Sequence, residues 1–180
     1  MIKVGGARIN EKGKVSGGKD GDQTLKEVCV HNWYDGKWTD VLRPVHPEVG
    51  KNMAIVMRAI CDNNNIGYDQ PKRNTAYNLW SKLGTIKAIK TPCSVDCSSS
   101  VTLAAIAAFK SLNMSFPLYY GTNAPTTSNM VSKFKATGRF YHLTDKKYLK
   151  SSDYLRAGDI LIRKGHHTVM VLENGPKASL

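Results

Sequence analysis

Asp96-Cys97-Ser98-Ser99-Ser100-Val101-Thr102-Leu103-Ala104-Ala105-Ile106-Ala107-Ala108-Phe109 is the stretch that decides how this chain folds. From Val101 onward it is Ala-rich and high in helix propensity. Apolar residues at 101, 104, 105, 108 and 112 form a wide stripe, and a helix with so much small apolar surface belongs at the centre of a domain. Cys97 stands where the loop from Thr91 to Asp96 meets the start of this helix. Unpaired backbone N–H groups and the positive end of the helix dipole lie there. Both favour a thiolate, so the position predicts a lowered thiol pKa and a usable nucleophile. The same N–H groups suit the oxyanion of an acyl-transfer intermediate. The plain alternative is a small residue at a helix N-terminus. Asp96 is placed to cap the helix, with recognition of an amine as a second role.

Working outward, Pro47 to Asn63 puts Val49, Met53, Val56 and Ile60 on one helical stripe, with Pro47 suited to a first turn. A further helix is predicted over Lys72 to Leu83, ending at Gly84, and a shorter one over Ser128 to Lys135, closed by Gly138. Lys26 to Trp33 alternates like a strand, and strands are predicted at Arg139 to Leu143, Asp159 to Arg163 and His167 to Glu173. Gly5 to Asp22 reads as loop, since Gly17-Gly18 and Asp20-Gly21-Asp22 are strong turn signals. Helices followed by strands indicate an α+β fold with an antiparallel sheet. With 180 residues and neither repeat nor linker, the chain is read as one domain, 1–180.

Hydrophobic residues make up 41% of the chain and charged residues 22%, an ordinary globular balance. No stretch reaches the roughly 18–20 apolar residues that cross a bilayer, which argues against stable membrane insertion. The polar, glycine-rich residues 1–18 lack the apolar core of a secretory signal, so synthesis in the cytoplasm is expected. The formal charge of +12 favours an anionic partner: nucleic acid, an anionic membrane or a phosphate-rich bacterial wall. The basic residues are scattered, and their densest group, Lys146, Lys147 and Lys150, is short, which speaks against nucleic acid. The cysteines are Cys29, Cys61, Cys93 and Cys97. Cys93 and Cys97 are four apart, not the three of a C-x-x-C knuckle, and no second close pair follows. Free thiols are the default, a Cys93–Cys97 disulfide or a zinc site being the alternatives.

A thiolate nucleophile requires an imidazole to protonate the leaving amine. Of five histidines, His31 and His142 lie in or beside predicted strands and His46 lies among prolines. His166-His167 follow Gly165 at the head of Thr168-Val-Met-Val-Leu172. Adjacent strand residues point to opposite faces, so only one of the pair can face the helix that carries Cys97.

The opening Asp96-Cys97-Ser98-Ser99 resembles the Asp-Cys-Ser-Gly or Asp-Cys-Ser-Ser motif of the NlpC-type cysteine peptidases, relatives of the CHAP amidases. Leu155-Arg-Ala-Gly158-Asp159-Ile-Leu-Ile-Arg163 is similar to their Gly-Asp strand. His167-Thr-Val-Met-Val-Leu172 is similar to their histidine strand, which puts the base at His167 rather than His166. Tyr68, in Ile66-Gly67-Tyr68-Asp69, resembles the site-lining tyrosine ahead of the nucleophile. Gly17-Gly18-Lys-Asp-Gly-Asp22-Gln23-Thr24, Val28-Cys-Val-His-Asn-Trp33-Tyr34 and Val41-Leu-Arg43-Pro44 resemble phage endolysins and prophage amidohydrolases. The resemblance implies a papain-like core and hydrolysis of a peptidoglycan amide, with Cys97 as nucleophile and His167 as base. It implies no metal or cofactor, and it implies action on the wall after release.

Substrate contacts are expected at Tyr68, Asp96 and Ser98, with Trp33 and Trp38 as aromatic candidates whose plainer role is packing. Asp20, Asp22 and Gln23 are read first as turn formers and second as calcium ligands. A third catalytic group is not placed, because Glu173 and Asn174 lie about 20 Å from His167 along an extended strand. Two rival readings are an acyl or amide transferase on the same fold and a non-catalytic wall-binding module. The bond cleaved and the oligomeric state are not legible in the sequence.

Overall fold

The computed structural model describes residues 1–118 and 124–179. In chain order the elements are β1 (Lys3–Ala7), β2 (Val28–Asn32), β3 (Asp40–Pro44), α1 (Pro47–Asp62), β4 (Ile66–Tyr68), α2 (Thr75–Leu83), β5 (Cys93–Val95), α3 (Cys97–Ser111), α4 (Met130–Ala136), β6 (Phe140–Leu143), α5 (Lys146–Leu149), β7 (Ile160–Arg163) and β8 (His167–Val171). Six strands make one antiparallel sheet in the order β2-β1-β8-β7-β3-β6. The short strands β4 and β5 pair in parallel, aligning Tyr68 with Val95. The fold is α+β, as the sequence indicates, although three strands precede the first helix.

The sheet is covered on both faces because its strands alternate apolar residues to both sides. On one face α1 and α3 bury Met53, Met57, Ile60, Leu103, Ala104 and Ala108 against Leu42, Ile160, Ile162 and Met170. On the other face a smaller cluster joins Val4, Trp38, Val41, Leu161, Val169 and Val171. Helix α3 starts at an Asp96 capping box: the Asp96 carboxylate accepts from Ser99 N, and Ser99 Oγ accepts in return from the Asp96 N–H. Its Ala-rich stripe, buried almost throughout, makes α3 the central helix.

Strand β1 falls in the segment that reads as loop. Gly5 and Gly6 weaken its alternation in sequence, yet they are what lets it sit in the middle of the sheet. A Cβ on Gly5 would lie 3.0 Å from Met57 Cγ and 3.1 Å from Leu172 Cδ1. The turn segment that follows uses its carboxylates structurally. Asp22 accepts from the N–H groups of Thr24, Glu27 and Val28, and Asp20 from Ser94 Oγ and Lys72 Nζ. That favours the turn reading of Asp20 and Asp22 over calcium ligation. All four cysteines are free thiols.

Candidate active site

Cys97 opens α3 and borders a surface cleft shared with Arg73, Asp96, Ser98, Thr126 and His166. The thiol is 7% exposed. The main-chain N–H groups of Thr168 and Ser98 act on the sulfur, which sets it near the start of β8. Burial pushes its pKa up to about 11, and the Asp96 carboxylate adds to the rise. The N–H donors and the Arg73 guanidinium oppose this and lose. The sequence predicts a lowered thiol pKa from the helix terminus alone. Desolvation of a nearly buried sulfur overturns that expectation, because it penalises the anion more than the terminus favours it.

His167 lies one residue before Thr168, in the strand register of Val169 and Val171, and its ring stacks on Trp38 at 6.3 Å between centroids. It borders a second cleft with Arg8, Asn10, Lys26 and Tyr34. Burial pushes its pKa down to about 4, helped by His31 and Arg8. The imidazole is therefore neutral near pH 7. Burial raises the pKa of Tyr34 in the same cleft, against the Arg8 charge. No hydrogen bond among the described residues joins the His167 ring to the Cys97 sulfur. The two clefts share no lining residue: Cys97 and His166 border one, and His167, on the face of β8 that carries Val169 and Val171, borders the other.

The other sequence candidates are distributed around these clefts. Tyr68, 3% exposed, ends β4; burial foremost, and then the Cys97 and Asp96 charges, raise its pKa. Ser98 Oγ donates to Asp96 Oδ1 and accepts from Arg73. Trp38 is buried, donates Nε1 to Tyr34 O and forms the platform under His167. Trp33 belongs to the outer apolar cluster, and its indole N–H is buried without a partner. Glu173 pairs with Arg58 and Asn174 accepts from Ala157 N, so neither orients His167.

Arg73 is a residue that sequence reading does not single out. Its guanidinium donates to Asp96 Oδ2 at 2.6 Å, to Ser98 Oγ at 2.8 Å and to the carbonyls of Ala124 and Pro125 at 2.6 and 2.8 Å. This buried fork locks the cap of α3, and thus the sulfur, to the segment on the far side of the cleft. One basic residue in a chain with 26 carries no local signal. Only the fold brings Arg73 to Asp96.

Fold and site together define an α+β domain that presents a helix-capped thiol at a surface cleft next to two histidines. A family profile described as an endolysin-like domain matches residues 4–178, and the chain belongs to that family. At this level its role is lysis of the bacterial cell wall. No curated protein and no solved structure matches the chain.

Proposed function

We propose that this protein is a peptidoglycan hydrolase with a papain-like catalytic core, and that it cleaves an amide of the stem peptide or of the sugar–peptide linkage. Cys97 attacks the carbonyl, and N–H groups at the start of α3 hold the oxyanion. His167 accepts the thiol proton and delivers it to the departing amine, and water then releases the acyl-enzyme. The observation that carries the reading is the Cys97 thiol at the capped start of α3, lining a surface cleft beside the main chain of Thr168, one residue from His167. Tyr68, Asp96 and Ser98 shape the thiol side, and Trp38 carries the imidazole.

The surplus of positive charge supports attraction to anionic wall polymers. We place synthesis in the bacterial cytoplasm and action at the wall after release. A second reading gives the base role to His166, because it borders the same cleft as Cys97.

The test is digestion of purified sacculi followed by mass spectrometry of the soluble fragments. New amine and carboxyl ends are expected, near-total loss with Cys97→Ala, and a deep loss with His167→Ala but not His166→Ala. The reverse histidine result selects His166. New crosslinks instead of free ends would mean transfer, and full activity of Cys97→Ala removes the thiol mechanism.

A further inference from the structure

At the end of β7 remote from the thiol, Asp159 forms part of a separate recess of about 120 Å³. Its floor and walls include Pro44, Pro47, Gly50 and Ala157, and three cations border it: Arg43, Lys51 and Arg156. Asp159 is the only acid among its lining residues. That acid is already matched, since Arg43 grips both of its carboxylate oxygens at 2.8 and 2.6 Å. The charges of Arg156 and Lys51 are left without a lining acid to answer them.

The Arg156 side chain adds the decisive detail. Its Nη2 donates to Ser179 Oγ, but its Nε is buried and has no hydrogen-bond partner. A guanidinium N–H removed from water and left unpaired is costly, and such orphan groups mark places where a ligand belongs. Asn174 spends its side-chain oxygen on Ala157 N, leaving its amide N–H groups as neutral donors at the rim. The backbone around the recess is rigid. Gly158 adopts φ +90, and a Cβ on Gly50 would lie 2.6 Å from Ala157 O, so α1 and the loop before β7 are pressed together.

We infer that this recess is a binding site for a phosphate group, held by the Arg156 guanidinium and Lys51 Nζ. Two unanswered positive charges match the roughly −1.5 to −2 of a phosphate better than the single charge of a carboxylate, and the guanidinium fork suits its oxygens. The group has two sources, free inorganic phosphate or a phosphate monoester such as the terminal phosphate of a wall polymer. The site lies apart from Cys97 and does not depend on the catalytic reading.

Titration of the ¹⁵N-labelled full chain with inorganic phosphate, glycerol 3-phosphate, poly(glycerol phosphate) and acetate, followed by NMR, tests it. Saturable shifts are expected at Arg156 Nε, Gly50, Ala157 and Gly158. Lys51→Gln and Arg156→Gln should each weaken binding at least about tenfold, while Cys97→Ala leaves it unchanged. Lys51 is exposed, so its variant keeps the fold. Tighter binding of an ester than of inorganic phosphate identifies a polymer-borne ligand, and equal or weaker binding identifies the free ion. Acetate binding as tightly as phosphate, or shifts that ignore both substitutions, overturns the assignment.

Discussion

Replacing Arg73 by Met removes the charged fork while keeping an unbranched side chain of similar reach. Arg73 and Asp96 have side chains only 10% and 9% exposed, and their 2.6 Å ion pair is backed by three further hydrogen bonds from the same guanidinium. Removing one partner of such a pair leaves the other charged and desolvated, which typically costs about 3–5 kcal/mol. For a chain of this size each kcal/mol lowers the melting temperature by about 2–4 °C, so a drop of roughly 6–20 °C is expected. Circular dichroism melts and urea titrations read it directly. Asp96→Asn keeps a competent helix cap, because Asn accepts from Ser99 N as Asp does, so its cost isolates the charge. In a double-mutant cycle the two substitutions should be sub-additive by about 2 kcal/mol or more. If Arg73→Met melts within about 2 °C of the parent, or if the two costs simply add, the fork does not hold the cap of α3.

Three further outcomes follow from the same geometry. His167 titrates near 4 when folded and near 6.5 when unfolded, so the unfolded chain takes up the proton first. Stability is therefore complete above about pH 6.5 and lost as pH falls toward 4, by on the order of 3 kcal/mol; His167→Gln should flatten that window in urea titrations. Gly158→Ala places a side chain at φ +90 against the backbone of Gly50; a loss above about 3 kcal/mol is expected from the combined strain and clash, and a melt within the parent's error refutes the close approach. Iodoacetamide labelling of Cys97, followed by intact-mass spectrometry, should accelerate about tenfold per pH unit up to about pH 11, and a plateau near pH 8 contradicts the neutral resting thiol.

The central helix is legible because its signals are local: an acidic cap, small residues and an apolar stripe, all within fifteen positions. The strands at β7 and β8 are legible for the same reason, as are the bounds of α1. What escapes is set by long-range contact. Strand β1 is hidden because its glycines answer the needs of Met57 and Leu172, residues far along the chain. Arg73 is hidden because its partners Asp96 and Ser98 come 23 and 25 positions later. The expected thiol pKa has the wrong sign because a helix terminus is visible in sequence, whereas the burial that outweighs it is a property of the folded cleft. The strand alternation that separates His166 from His167 is readable. Which of the two borders the cleft of the thiol needs the fold: it is His166, while His167 shares its face with Val169 and Val171.

That alternation has a consequence for the chemistry. With the thiol near 11 and the imidazole near 4, moving the proton from Cys97 to His167 before attack costs on the order of 10 kcal/mol. A turnover of about one per second allows a total barrier of roughly 17 kcal/mol. A preformed ion pair would then leave only about 7 kcal/mol for making the carbon–sulfur bond. The proposed reaction therefore works best when proton transfer and attack are concerted, with the negative charge passing directly from sulfur to the oxyanion at the start of α3. Such a site rests as a neutral thiol, which resists oxidation, and becomes nucleophilic only when a carbonyl occupies the cleft beside Cys97.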